Sequence, residues 1–380
     1  MEKKTSKFHN FYRLCPTAHT VAIASALLIL LHLATRQNHA LMSALSYSIV
    51  QPLHSILARA CSVFSFSVAE QLIVVLSAAI IIRIIYGLVR IIRRRSNWRH
   101  CYRLFMGLIS LGLALYALFS LLWGVYYYGD DFAARSGLSD EPVSTEQLRT
   151  VTEYFAALAN DYSAKVERDE NGLYVCDRDE IIEKSESLFD DIVCDFPCLD
   201  GPSVKVKPIF LSRGLSYLDF TGFFSPFTAE ANVNTDFPPG LFASTVAHEL
   251  SHQRGVAKEQ EANFTAVLAC FANGDADYCY SAALLAYTHL GNALYSADYE
   301  AWEEVYDKLD ESIKLDFACN RAYWRQFETP VQSVSNTVYE GLLYSYDQNL
   351  GLKSYGACVD LLVNYYYDAA SEYLEANSTD

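Results

Sequence analysis

Three long apolar stretches, residues 18–34, 69–92 and 104–127, constrain this chain before anything else. Each approaches or exceeds the roughly 20 residues of helix that cross a hydrocarbon core. The first follows Lys3, Lys4, Lys7 and Arg13 and so also has the build of a secretory signal. It lacks a clear small-residue cleavage site and two further spans follow it, which favours a retained anchor.

Charge divides the 380 residues at the same place. Residues 1–128 carry 13 basic and 2 acidic groups, whereas the remainder carries 16 basic and 43 acidic. Arg90, Arg93, Arg94, Arg95, Arg99 and Arg103 crowd the short loop between the second and third stretches, and a basic loop marks the cytoplasmic face. The N-terminal lysines then share that face. Three crossings from a cytoplasmic N-terminus put everything after about Tyr128 outside, and Trp123, Tyr126, Tyr127 and Tyr128 suit the outer interface. The acidic remainder would repel phosphate and no nucleic-acid motif accompanies the arginines, so nucleic acid is excluded as a partner and the lipid bilayer expected. Arg83, inside the second stretch, is read as snorkelling to the inner surface.

The expected organisation is a membrane domain over 1–128, a linker over 129–143 and an outer domain over 144–380. Residues 36–68, between the first two spans, read as a mildly apolar loop able to lie on the membrane as a short amphipathic helix. Ser144-Thr-Glu-Gln147 has capping-box form and opens a helix to about 166, with another over 179–191. Between Val204 and Thr235, alternating apolar residues and Gly214, Gly222, Pro208 and Pro226 predict short strands and turns. Asp236 and Pro238-Pro239 then offer a helix start. Later helices are expected over 258–271, 278–297, 300–315, 331–349 and 355–377, so the chain is mainly α with a small sheet. Seven of ten cysteines fall after residue 128 without CxxC spacing, and their pairing is left open, Cys194 and Cys198 being the closest in sequence.

The chemistry gathers in His248-Glu249-Leu250-Ser251-His252. Two histidines four apart on a helix share a face and can hold one zinc ion, and Glu249 between them can take a proton from attacking water. An open zinc site needs a third protein ligand. Lys258 stands where a metzincin has its third histidine, and a protonated lysine cannot replace it. Gly255 can end the first helix in a left-handed conformation, bringing Glu259 or Glu261 of the next helix toward the histidines. Asn263, one turn after Glu259, can orient a ligating histidine. His289, Tyr339 and Tyr355 are candidate donors to a developing oxyanion, with Tyr355 taken first. Residues 220–233 read equally as a substrate-pairing edge strand and as a plain surface loop.

The run Glu259-Gln-Glu261-Ala-Asn263 resembles the ExxA(D/N) pattern of gluzincin zinc peptidases, which implies Glu259 as ligand and Asn263 as orienter. Only seven positions separate His252 from Glu259, a shorter connection than gluzincins use. The longer string HELSHQRGVAKEQEANF, with Ser225-Pro-Phe-Thr-Ala-Glu-Ala-Asn-Val-Asn234 upstream, resembles the bacterial membrane proteins of domain-of-unknown-function family 3810. That resemblance implies N-terminal spans before an α+β zincin-like domain. The expectation is a membrane-anchored zinc hydrolase, a metallopeptidase acting on peptide or cell-envelope substrates. The alternative is a zinc-binding membrane sensor or scaffold without turnover.

Overall fold

The computed structural model describes residues 12–93, 98–348 and 356–377. Lys3, Lys4, Lys7, Arg94, Arg95 and Tyr355 lie outside the described residues. The chain is mainly helical and divides into two compact units, residues 1–50 with 68–129, and residues 51–67 with 130–380.

The first unit contains three helices long and apolar enough to cross a membrane: α1 (Pro16–Thr35), α4 (Val68–Ile92), and α5 (Trp98–Phe119) with its continuation to Gly124. Short α2 (His39–Leu45) follows α1, its N-terminus capped by Asn38. Apolar side chains such as Leu27, Ile82 and Phe105 are exposed, as a lipid-facing surface requires. Glycines let α4 and α5 approach. A Cβ on Gly87 would stand 2.6 Å from Leu104, and one on Gly107 would stand 2.9 Å from the Arg83 guanidinium. Arg83 therefore lies against Gly107.

The second unit begins with α3 (Gln51–Ser62), inside the stretch read as a membrane-surface loop. The helix forms, but one face is spent on protein. His54 is buried and donates from Nε2 to the Pro226 carbonyl (3.1 Å), and Ala58 packs with Val204 and Ala229. Gln51 donates to the Gln253 carbonyl (3.0 Å) and Ser67 to Asn232 (2.6 Å).

The stretch read as a linker is also built into this unit. Asp131 caps α6 (Phe132–Ser136), and Phe132 and Ala133 are buried in the main core. The capping box at Ser144 and Gln147 opens α7 (Thr145–Ser163), and α8 (Arg178–Lys184) follows with Asp177 as its cap. A small mixed sheet comes next: β1 (Lys207–Pro208), then α9 (Ser212–Tyr217), β2 (Gly222–Ser225) and β3 (Glu230–Val233). Its order is β1-β3-β2, with β1 parallel and β2 antiparallel to β3. Among the described residues β2 is thus an edge strand, one of the two readings of residues 220–233.

Helix α10 (Phe242–Gln253) packs on β2 and β3, and α11 (Glu259–Asn273) packs beside it. The Asp236 carboxylate does not cap α10. It accepts hydrogen bonds from Tyr323 (2.8 Å) and Arg213 (3.3 Å), and a 3-10 turn at Pro239–Leu241 leads into the helix instead. Long α12 (Ala276–Ala297) runs through the core against α7, α10 and α11. The unit closes with α13 (Tyr299–Asp307), α14 (Glu311–Arg325), α15 (Pro330–Ser345) and α16 (Gly356–Asn377). Among the described residues no disulfide joins the cysteines, and Cys270, Cys279 and Cys358 are buried.

Candidate metal centre

His248 and His252 leave α10 one turn apart, on the same face as helical geometry requires, with their rings edge to face at 4.7 Å. Gly255 (φ +80°) ends the helix. Four residues later α11 starts at Glu259, so the chain reverses within the short interval that separates this sequence from gluzincins. The reversal brings the Glu259 carboxylate to both imidazoles.

The Nε2 atoms of His248 and His252 lie 3.1 Å apart, and Glu259 Oε2 lies 3.2 Å and 3.6 Å from them. A tetrahedral zinc ion with bonds of 2.0–2.1 Å has donor–donor edges of about 3.3 Å, so these separations bracket the edge the metal needs. The opposite ring atoms are engaged. His248 Nδ1 lies 2.9 Å from Asn263 Oδ1, and His252 Nδ1 lies 2.7 Å from the Val256 carbonyl oxygen. Donation from both Nδ1–H groups would leave each Nε2 lone pair for a metal, the tautomer a ligand requires, whereas without one the histidines hydrogen-bond to Glu259 through Nε2. Two imidazole nitrogens and a carboxylate oxygen are a donor set that zinc takes with an open fourth position. The residues fit the ion.

Electrostatics without a metal point the same way. Burial pushes the Glu259 carboxyl up, but the charge on His252 and hydrogen bonds from both histidines outweigh it and hold the group well below the usual carboxylate range. Burial pushes His252 down, and Glu259 more than reverses this, raising it to about 9. Without a metal the proton on His252 balances the Glu259 carboxylate, and a cation bound among the three groups would take that proton's place.

Glu249 is buried beside the ligands, and among the described residues its Oε2 has no hydrogen-bond partner. Burial, opposed by the two histidines, pushes its carboxyl up to about 7, in the range of a proton acceptor matched to neutral pH. Strand β2 makes room for it. A Cβ on Gly222 would fall 2.6 Å from Glu249 Oε1 and 2.7 Å from the Asn232 carbonyl oxygen, so only glycine fits there.

The rival ligand Glu261 faces elsewhere. Its two oxygens accept the backbone N–H groups of Phe132 (3.0 Å) and Ala133 (3.1 Å), satisfying the first turn of α6. Lys258, whose place excluded a metzincin, pairs with Asp131. Of the oxyanion candidates, Tyr339 on α15 donates to Glu259 Oε1 (2.8 Å). His289 lines a cavity of about 280 Å³ with His248, Glu259, Asn263, Asn320 and Trp324, and burial followed by the charge of His248 pushes its imidazole down to about 4. Tyr355, taken first from the sequence, lies outside the described residues. Gly222 was missed as a site residue; its only signal was a glycine in an apolar run.

Among the described residues these features define a mainly helical protein with three membrane-length helices and a partly buried two-histidine, one-carboxylate cluster able to hold a metal ion. The family model described as Protein of unknown function (DUF3810) matches residues 46–363, and the chain belongs to that family. No curated protein and no solved structure matches it.

Proposed function

We propose that this chain is a membrane-anchored zinc hydrolase, a zincin-like metallopeptidase that acts on peptide or cell-envelope substrates outside the cytoplasmic membrane. The observation that carries the reading is the convergence of His248, His252 and Glu259 within 4.8 Å, with the buried Glu249 carboxylate beside them.

A zinc ion held there would act as a Lewis acid, polarising a carbonyl and lowering the pKa of water at its open position. Glu249 accepts the proton from the attacking water and returns it to the leaving amine. Asn263 and Val256 hold the imidazoles in register. Tyr339 is the oxyanion donor this reading takes, since its hydroxyl already reaches the ligand set through Glu259. Its ring, with Phe220, also lines an almost wholly apolar groove of about 620 Å³ that includes Leu218, Val334 and Val338, a seat for apolar side chains of an extended substrate. The alternative, a non-catalytic zinc sensor or scaffold, has no use for a buried carboxylate at the position of Glu249.

Topology is part of the proposal. Residues 51–67 and 130–380 pack as one unit, which supports placing both on one side of a membrane. The two crossings between them, α4 and α5, then return the chain to that side. Arg90, Arg93, Arg99 and Arg103 fall at the opposite face, the cytoplasmic one by the positive-inside rule.

The test is Glu249→Gln in the full chain against a broad peptide library. Hydrolysis should fall roughly 10²–10⁴-fold while zinc stays bound. Undiminished hydrolysis would reject Glu249 as the base, and a zinc-loaded wild type inert on every peptide would favour the sensor.

A further inference from the structure

The second unit carries large apolar side chains that its own core leaves uncovered, at the point where the chain enters a membrane-length helix. After α3 the backbone turns through residues 63–67, and α4 begins at Val68. In that turn Val63 is 81% exposed, and the rings of Phe64 and Phe66 lie 5.4 Å apart with about half their surface open. The buried Lys207 of β1 donates to the Phe64 carbonyl and fastens the turn to that edge of the sheet. Three residues past Lys207, Phe210 is 90% exposed, with Leu211 half exposed beside it. Two segments distant in sequence thus present four bulky apolar residues and a valine around one edge strand.

Such a patch on a soluble surface signals a partner. The partner here follows from connectivity. Phe66 precedes the first residue of α4 by two positions, so its backbone lies within about 7 Å of the start of a 25-residue apolar helix. Aromatic side chains prefer the boundary between hydrocarbon and water, where the ring is desolvated and the backbone stays wet. We propose that Val63, Phe64, Phe66, Phe210 and Leu211 form a lipid-contact surface that seats the second unit on the bilayer. Lys207 couples its two halves. The patch borders β1, whereas Gly222 and Glu249 lie at β2, the opposite edge of the sheet, so seating the β1 edge leaves the cavity beside the candidate metal centre free. The proposal does not depend on any metal.

The test uses the full chain in phosphatidylcholine nanodiscs doped with a phosphatidylcholine carrying a photoactivatable diazirine in its acyl chain, with adducts mapped by mass spectrometry. Labelling of α1, α4 and α5 is the internal control. The informative peptide is the one carrying Phe210 and Leu211, because it is remote in sequence from every span. Adducts there, and none on the exposed aromatics Tyr295 and Tyr299, are expected. Hydroxyl-radical oxidation of the same nanodiscs should show Phe210 protected relative to Tyr299. Spans that label while Phe210 and Leu211 do not, with Phe210 oxidised as readily as Tyr299, would overturn the proposal.

Discussion

Asn263 and Gly222 have no chemical role of their own in this account, yet each positions a group that does, the ligand His248 and the base Glu249. Asn263 holds His248 through Nδ1, and losing such an outer contact costs metal affinity about 10–100-fold. Asn263→Ala should weaken zinc by that amount in a competitive-chelator titration; unchanged affinity would remove its role. At Gly222 the added methyl of Gly222→Ala would press on Glu249 and on the Asn232 carbonyl, and overpacking of this kind costs about 1–3 kcal/mol. The variant should keep its zinc and lose turnover, whereas wild-type kcat would show that Glu249 needs no such room. At this scale the sequence was readable where spacing alone carried the geometry. His248 and His252 are one helical turn apart, and Glu259 and Asn263 are another. It was unreadable where the partner is distant. Tyr339 is one of 27 tyrosines, and its contact with Glu259 spans 80 residues. Glu259 and Glu261 could be separated only by seeing that the α6 amides claim the second.

Among elements, α3 is the one whose role the fold changes most. Its helical character is local and was legible; its docking was not, because Pro226, Ala229 and Gln253 lie far along the chain. His54 makes the docking pH-sensitive. Burial pushes its imidazole down to about 4 despite the hydrogen bond to Pro226. At neutral pH both docked and undocked forms are uncharged. As pH falls below about 6.5 the undocked imidazole takes a proton that the docked one refuses until about 4, so stability is lost through that window, up to about 3 kcal/mol. Hydrogen exchange over residues 51–67 should accelerate between neutral pH and about pH 5, and His54→Gln should blunt the change. Equal protection at both would show that His54 does not control the docking. The α6 segment carries the same lesson. Polar residues after an apolar stretch read as a linker, whereas the burial of Phe132 and Ala133 and the backbone bonds to Glu261 make it part of the core.

For the whole molecule, the partition of charge and hydropathy near residue 128 was plain in composition, and the three membrane-length helices follow it. The regrouping of residues 51–67 with residues 130–380 was not, since it depends on contacts that skip two spans. It has a practical consequence: a fragment of 130–380 lacks the face that covers Pro226 and Ala229. Its Tm should rise when a peptide of residues 51–67 is added, and an unaffected Tm would mean the segment contributes no stability. The central claim, that the two ligand helices enclose a zinc site, is tested most directly by elemental analysis of the full chain purified without chelator. The account predicts about one zinc per chain in the wild type and in Glu249→Gln, and none when His248 and His252 are both changed to alanine. A metal-free wild type, or a double variant that keeps its zinc, would contradict it.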